Sequence, residues 1–101
     1  MDIEQINKSI EYIADNFGLE SQMLKLIEEC SELTRALAMD IAKGQIVSEN
    51  TISEIADVNI LINQILYLSS NEEYNAKEKL KNSIEYKLRR TMQRINEGYY
   101  K

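Results

Sequence analysis

No proline occurs in this 101-residue chain, and its only glycines are Gly18, Gly44 and Gly98. Proline breaks helices and glycine stops them, so a chain punctuated this sparsely can run in long helices between those points. Strand-rich chains need turn residues far more often. Apolar spacing then fills the intervals. Ile3, Ile6, Ile10, Ile13 and Phe17 recur near helical period and predict a first helix from about Ile3 to Asn16, stopped at Asn16-Phe17-Gly18. A second is expected from about Glu20 to Lys43, with Gly44 just past its end. Its apolar stripe is Met23, Leu26, Ile27, Cys30, Leu33, Thr34, Leu37 and Ile41, which makes Cys30 a small core residue.

Ser48 or Asn50 can cap a third helix reaching about Leu68. Between Ile55 and Leu68 this helix is apolar nearly all round, the pattern of a helix covered on several sides by its own domain or by a partner subunit. Ser69-Ser70-Asn71 reads as a break, with Asn71 capping a fourth helix that runs to about Glu97 on a stripe of Leu80, Ile84, Leu88, Met92 and Ile95. The expectation is an all-α, four-helix chain forming one domain over residues 1–101.

Charge is distributed unevenly. Seven basic residues against two acidic ones leave +5 between Lys77 and Arg94, so the overall −5 requires −10 elsewhere. An acidic chain is not expected to attract nucleic acid through its bulk charge. The stretch Ile55 to Leu68 is interrupted by Asp57, Asn59, Asn63 and Gln64, too short and polar to span a bilayer. Met1-Asp2-Ile3-Glu4 lacks the basic and apolar regions of a signal peptide, and the single Cys30 allows no internal disulfide. These features suit a soluble, cytoplasmic protein.

Two acidic pairs carry the chemistry. Glu29 and Glu32 are three residues apart on the second helix, as are Glu54 and Asp57 on the third. That spacing puts both members of a pair on one helix face. Asp57 lies in the most apolar part of the chain, where an uncompensated carboxylate is costly. Two carboxylates about 5 Å apart repel by roughly 3 kcal/mol at an effective dielectric of about 20, and four converging ones by much more. Protons or cations must neutralise them, and at neutral pH Mg²⁺ or Mn²⁺ suits an all-oxygen ligand set.

Glu28 points about 100° away from the pair. Lys25, one turn before Glu29, can pair with it or touch a phosphate. Lys87, Arg90 and Arg94 form one stripe on the fourth helix, able to grip phosphate oxygens or to serve as a charged face with local pairs such as Glu85 to Arg89. With no histidine, a Glu-x-x-His di-iron site, a His-ligated zinc site and a Ser-His or Cys-His nucleophile are all excluded. No glycine-rich phosphate loop is present.

These residues resemble the MazG-like family of all-α nucleoside triphosphate pyrophosphohydrolases, which carries Glu-x-x-Glu on one helix and Glu-x-x-Asp on the next. Here Glu29-x-x-Glu32 and Glu54-x-x-Asp57 match, with 21 residues between them. The flanking Lys25-Leu26-Ile27-Glu28-Glu29, Glu54-Ile55-Ala56-Asp57-Val58 and Lys87-Leu88-Arg89-Arg90 are similar too, so the likeness spans roughly Gln22 to Arg94, within a motif-bearing core of about residues 20–96. The resemblance implies Mg²⁺-dependent cleavage of a nucleoside triphosphate to monophosphate and pyrophosphate. It implies Glu29, Glu32, Glu54 and Asp57 as metal-holding catalytic residues and Lys25, Lys87, Arg90 and Arg94 on the phosphates. It also implies a MazG-like bundle completed by dimer or tetramer formation, and a house-cleaning role. A non-catalytic MazG-like module that binds nucleotide or protein is the alternative. The base and sugar are left open, because no extra segment for reading a base is evident.

Overall fold

A computed structural model describes residues 1–100 as four helices, with no strand among them. The helices are α1 (Ile3–Phe17), α2 (Leu19–Ala42), α3 (Glu49–Ser69) and α4 (Ala76–Asn96). None is long and apolar enough to cross a membrane.

Local chemistry sets the boundaries. Asp2 caps α1 through a capping box: its Oδ1 accepts from the Gln5 N–H at 2.8 Å, and Gln5 Oε1 accepts from the Asp2 N–H at 2.9 Å. Gly18 separates α1 from α2 at φ +85°, a conformation costly for any residue with a Cβ. Gly44 ends α2 at φ +62°, donating to Ile41 O while Gln45 N–H reaches back to Asp40 O. This is the Schellman arrangement, and Gly98 and Tyr99 repeat it on Ile95 and Arg94 at the end of α4.

The start of α4 differs from expectation. Its cap is Asn75, which accepts from the Glu78 N–H at 3.1 Å. Asn71 instead folds a turn, its Oδ1 accepting from the N–H groups of Glu73 and Tyr74.

The chain divides into two compact units, Met1–Ser69 and the segment from Ser70 onward. In the first, α2 and α3 make the most extensive contact, and α1 packs on α3 and, less extensively, on α2. Gln22 meets Gln64 at one end of the α2–α3 seam and Asp40 meets Thr51 at the other, so the helices run antiparallel.

This seam is polar. The buried residues of α2 are Gln22, Glu29, Ala36 and Asp40, one face at helical spacing, and those of α3 are Thr51, Leu61 and Gln64. The stripe expected to face the core lies mostly outside it: Met23, Ile27, Leu37 and Ile41 are exposed, and so is Cys30. Burying Gln22, Glu29 and Asp40 turns that neighbouring stripe away from α3. In the second unit, the predicted stripe of α4 (Leu80, Ile84, Leu88, Met92, Ile95) is likewise exposed.

Candidate metal centre

The midpoint of the seam carries the acidic residues. Glu29 comes from α2 and Glu54 and Asp57 from α3, and one carboxylate oxygen from each lies within 4.8 Å of the others. Their burial is graded: Glu29 is buried, Glu54 half-buried and Asp57 exposed. Asp57, expected at core depth, therefore keeps contact with water. The desolvated carboxylates are Glu29 and Glu54, whose Oε2 atoms are buried with no hydrogen-bond partner among the described residues. A buried carboxylate oxygen without a donor is costly, and a cation is the group that would satisfy it. The donors are all hard oxygens, which fits Mg²⁺ or Mn²⁺.

Glu32 is exposed and stands at the edge of this cluster. Its carboxyl is held above the ordinary carboxylate range, first by a hydrogen bond shared with Glu29, then by the charge of Glu29, by desolvation, and by the charges of Glu54 and Glu28. Two carboxyls share such a bond only while one of them keeps a proton.

Lys25 pairs with Glu29 at 3.3 Å and lies 3.9 Å from Glu28. Its amine is held above its usual pKa, chiefly by the Glu29 hydrogen bond. Half of this side chain remains exposed, so the pair contributes little to stability while leaving the amine able to change partners. Lys87, Arg90 and Arg94 all lie on α4, in the second unit. Arg90 stacks on Tyr86 with 5.5 Å to the ring centroid, and Arg94 on Tyr99 with 5.1 Å. The alternative pairing of Glu85 with Arg89 is present at 3.6 Å.

Two features were not anticipated. The first is the Asp40 network at the α2–α3 turn. Oδ2 accepts from the Thr51 hydroxyl at 2.6 Å and the Ser48 N–H at 3.1 Å, and Oδ1 accepts from the Gln45 amide at 2.8 Å. Ser48 in turn caps α3, its hydroxyl accepting from the Thr51 N–H at 3.2 Å. The donors hold the Asp40 carboxyl at a pKa of about 2, the Thr51 hydroxyl first among them. The network fixes where α3 begins, and Glu54 and Asp57 sit one and two turns further along. The second is Arg35, which lines a cavity beside the cluster together with Glu32 and Glu54.

Comparison with family models, curated proteins and solved structures gives no match for this chain.

Proposed function

We propose that this chain is a Mg²⁺-dependent nucleoside triphosphate pyrophosphohydrolase of the MazG-like type, converting a ribo- or deoxyribonucleoside triphosphate to its monophosphate and pyrophosphate. The observation that carries the reading is a pair of buried, donor-less oxygens, Glu29 Oε2 and Glu54 Oε2, where two helices with paired acidic motifs meet. Glu29, Glu54 and Asp57, with Glu32 at the edge, would hold the cation. When bound, a divalent cation offsets phosphate charge and makes water more acidic. One of the four carboxylates orients the attacking water and takes its proton. Lys25 is the cation proposed at this centre for the phosphate tail and for the charge that grows on departing pyrophosphate, and Lys87, Arg90 and Arg94 are proposed as a phosphate-gripping stripe of α4 within its own unit. A protein of this kind would clear unwanted or excess nucleotides from the cytoplasm.

The reading includes self-association. The only large aliphatic buried among the described residues is Leu61, while Ile27 is 69% and Ile41 79% exposed. A second copy covering that stripe, as a dimer or tetramer, supplies the apolar burial that one chain lacks.

The test is pyrophosphate release over a panel of standard and modified triphosphates, with Mg²⁺ and with chelator. Release that needs Mg²⁺ and disappears in Glu54→Gln is the expected result. Silence across the panel, with Mg²⁺ still raising the melting temperature, would replace the enzyme with the non-catalytic module.

A further inference from the structure

The roles above leave Arg35 unused. A cavity of about 410 Å³ opens beside the acidic cluster, lined by Glu32, Arg35, Ala36, Met39, Asn50 and Glu54. That volume is in the range of small-ligand sites. Glu54 belongs both to this cavity and to the set of three carboxylates that converge at the seam, and its Oε2 is a buried oxygen without a donor. Arg35 shares the cavity with two carboxylates, yet among the described residues it forms no ion pair with either. The Asn50 side chain on the opposite helix likewise makes no hydrogen bond there.

A guanidinium held beside carboxylates without collapsing onto them keeps its planar fork of donors for something else. Glu32 and Glu54 thus lie at the end of the cavity nearer the acidic cluster, and Arg35 and Asn50, each about one turn along the same two helices, at the end nearer the α2–α3 turn. A ligand satisfying both ends must carry several anionic oxygens on linked centres: some meet the cation held by the carboxylates, others the guanidinium. A monoanion is too short in charge, and a monocarboxylate offers only one oxygen pair.

The geometry points to Arg35, assisted by the Asn50 amide, as the binding site for a diphosphate group in this cavity, so that Arg35 and the carboxylate-held cation grip one polyphosphate from two sides. This rests on the cation centre proposed above and adds a ligand contact to it. It gives Arg35 a role that the sequence reserved for Lys25 and the α4 cations. Two parallel charge-assisted bonds to phosphate predict a loss of about tenfold to a hundredfold in affinity when the fork is removed.

The experiment uses the full chain and imidodiphosphate, a diphosphate that resists hydrolysis, titrated calorimetrically with saturating Mg²⁺ present. Arg35 is an exposed position in mid-helix where Gln and Lys are good helix formers, so both variants should fold. Arg35→Gln should weaken imidodiphosphate by that factor while the melting-temperature rise with Mg²⁺ alone stays at the parent value. Arg35→Lys should recover part of the loss, and Asn50→Ala should cost less than Arg35→Gln. Equal imidodiphosphate affinity in parent and Arg35→Gln overturns the assignment and leaves the cation centre standing. A parent that responds to Mg²⁺ but not to imidodiphosphate does the same. A parent unmoved by Mg²⁺ overturns the cation centre and this site with it.

Discussion

Glu29 pairs through Oε1 with Lys25 and leaves Oε2 buried without a donor. Without a cation, this carboxylate is an electrostatic liability to Glu32, Glu54 and Asp57. Glu29→Gln should therefore melt no lower than the parent in chelator, since the ion pair lost is one whose lysine is half exposed, and the like-charge contacts with Glu32, Glu54 and Asp57 are relieved. In millimolar Mg²⁺ the order should reverse, because only the parent gains ligand stabilisation, about 2.7 kcal/mol at a hundredfold excess over Kd. Melting curves of both proteins with and without Mg²⁺ check this, and a parent that stays below the variant in Mg²⁺ contradicts it. The spacing of the four acids was readable because a three-residue interval has one meaning on a helix. Their depth was not. Asp57 sits among Ile, Ala and Val yet faces water, since neighbours in sequence point to different sides of a helix. Arg35 was unreadable because its place in one cavity with Glu54 depends on how α3, the next helix along the chain, packs against α2.

At the scale of elements, the α2–α3 turn is organised by Asp40. Its folded pKa of about 2 lies below the ordinary aspartate value. A depressed acid contributes stability that is complete above the unfolded pKa and lost as pH falls through that value toward the folded one. The melting temperature should thus drop between about pH 4 and pH 2. Asp40→Asn should melt several degrees lower than the parent at pH 7, and the gap should close on acidification. A constant gap from pH 7 to pH 2 would show that the charge of Asp40 is not what its donors stabilise. Helix ends marked by glycine were legible, because positive φ at Gly18 and Gly44 has few other solutions. The start of α4 was misplaced by four residues, although Asn75-Ala76-Lys77-Glu78 carries the cap-and-acid spacing that Asn71 lacks. The inward face of α2 differs from the expected stripe for another reason: hydropathy assumes that apolar residues fill the nearest interface, whereas this one buries amides, carboxylates and a hydroxyl beside Ala36 and Leu61.

At the scale of the whole molecule, many large apolar side chains are exposed while polar ones are buried in the seam beside Ala36 and Leu61. Among the described residues the largest fully buried side chains are Gln64 and Thr51. Covering an exposed Ile contributes about 1.5–3 kcal/mol, so a partner surface over several of them is worth more than most single contacts within the chain. At micromolar concentration the parent should have the mass of two or more chains by light scattering, and Ile27→Lys should shift it toward one. A parent of single-chain mass with a cooperative melt would remove self-association from the proposed function.

The two outer layers of the seam bear on how such a molecule can change. Gln22 fits Gln64, and Asp40 fits Thr51, so a slip of one helix along the other would set an amide against the acids and strand a carboxylate. The chain thereby carries its own ruler, with marks at both ends of the acidic cluster. Mutations on the outward faces can alter what the molecule meets without altering the distance across which α2 and α3 present their oxygens.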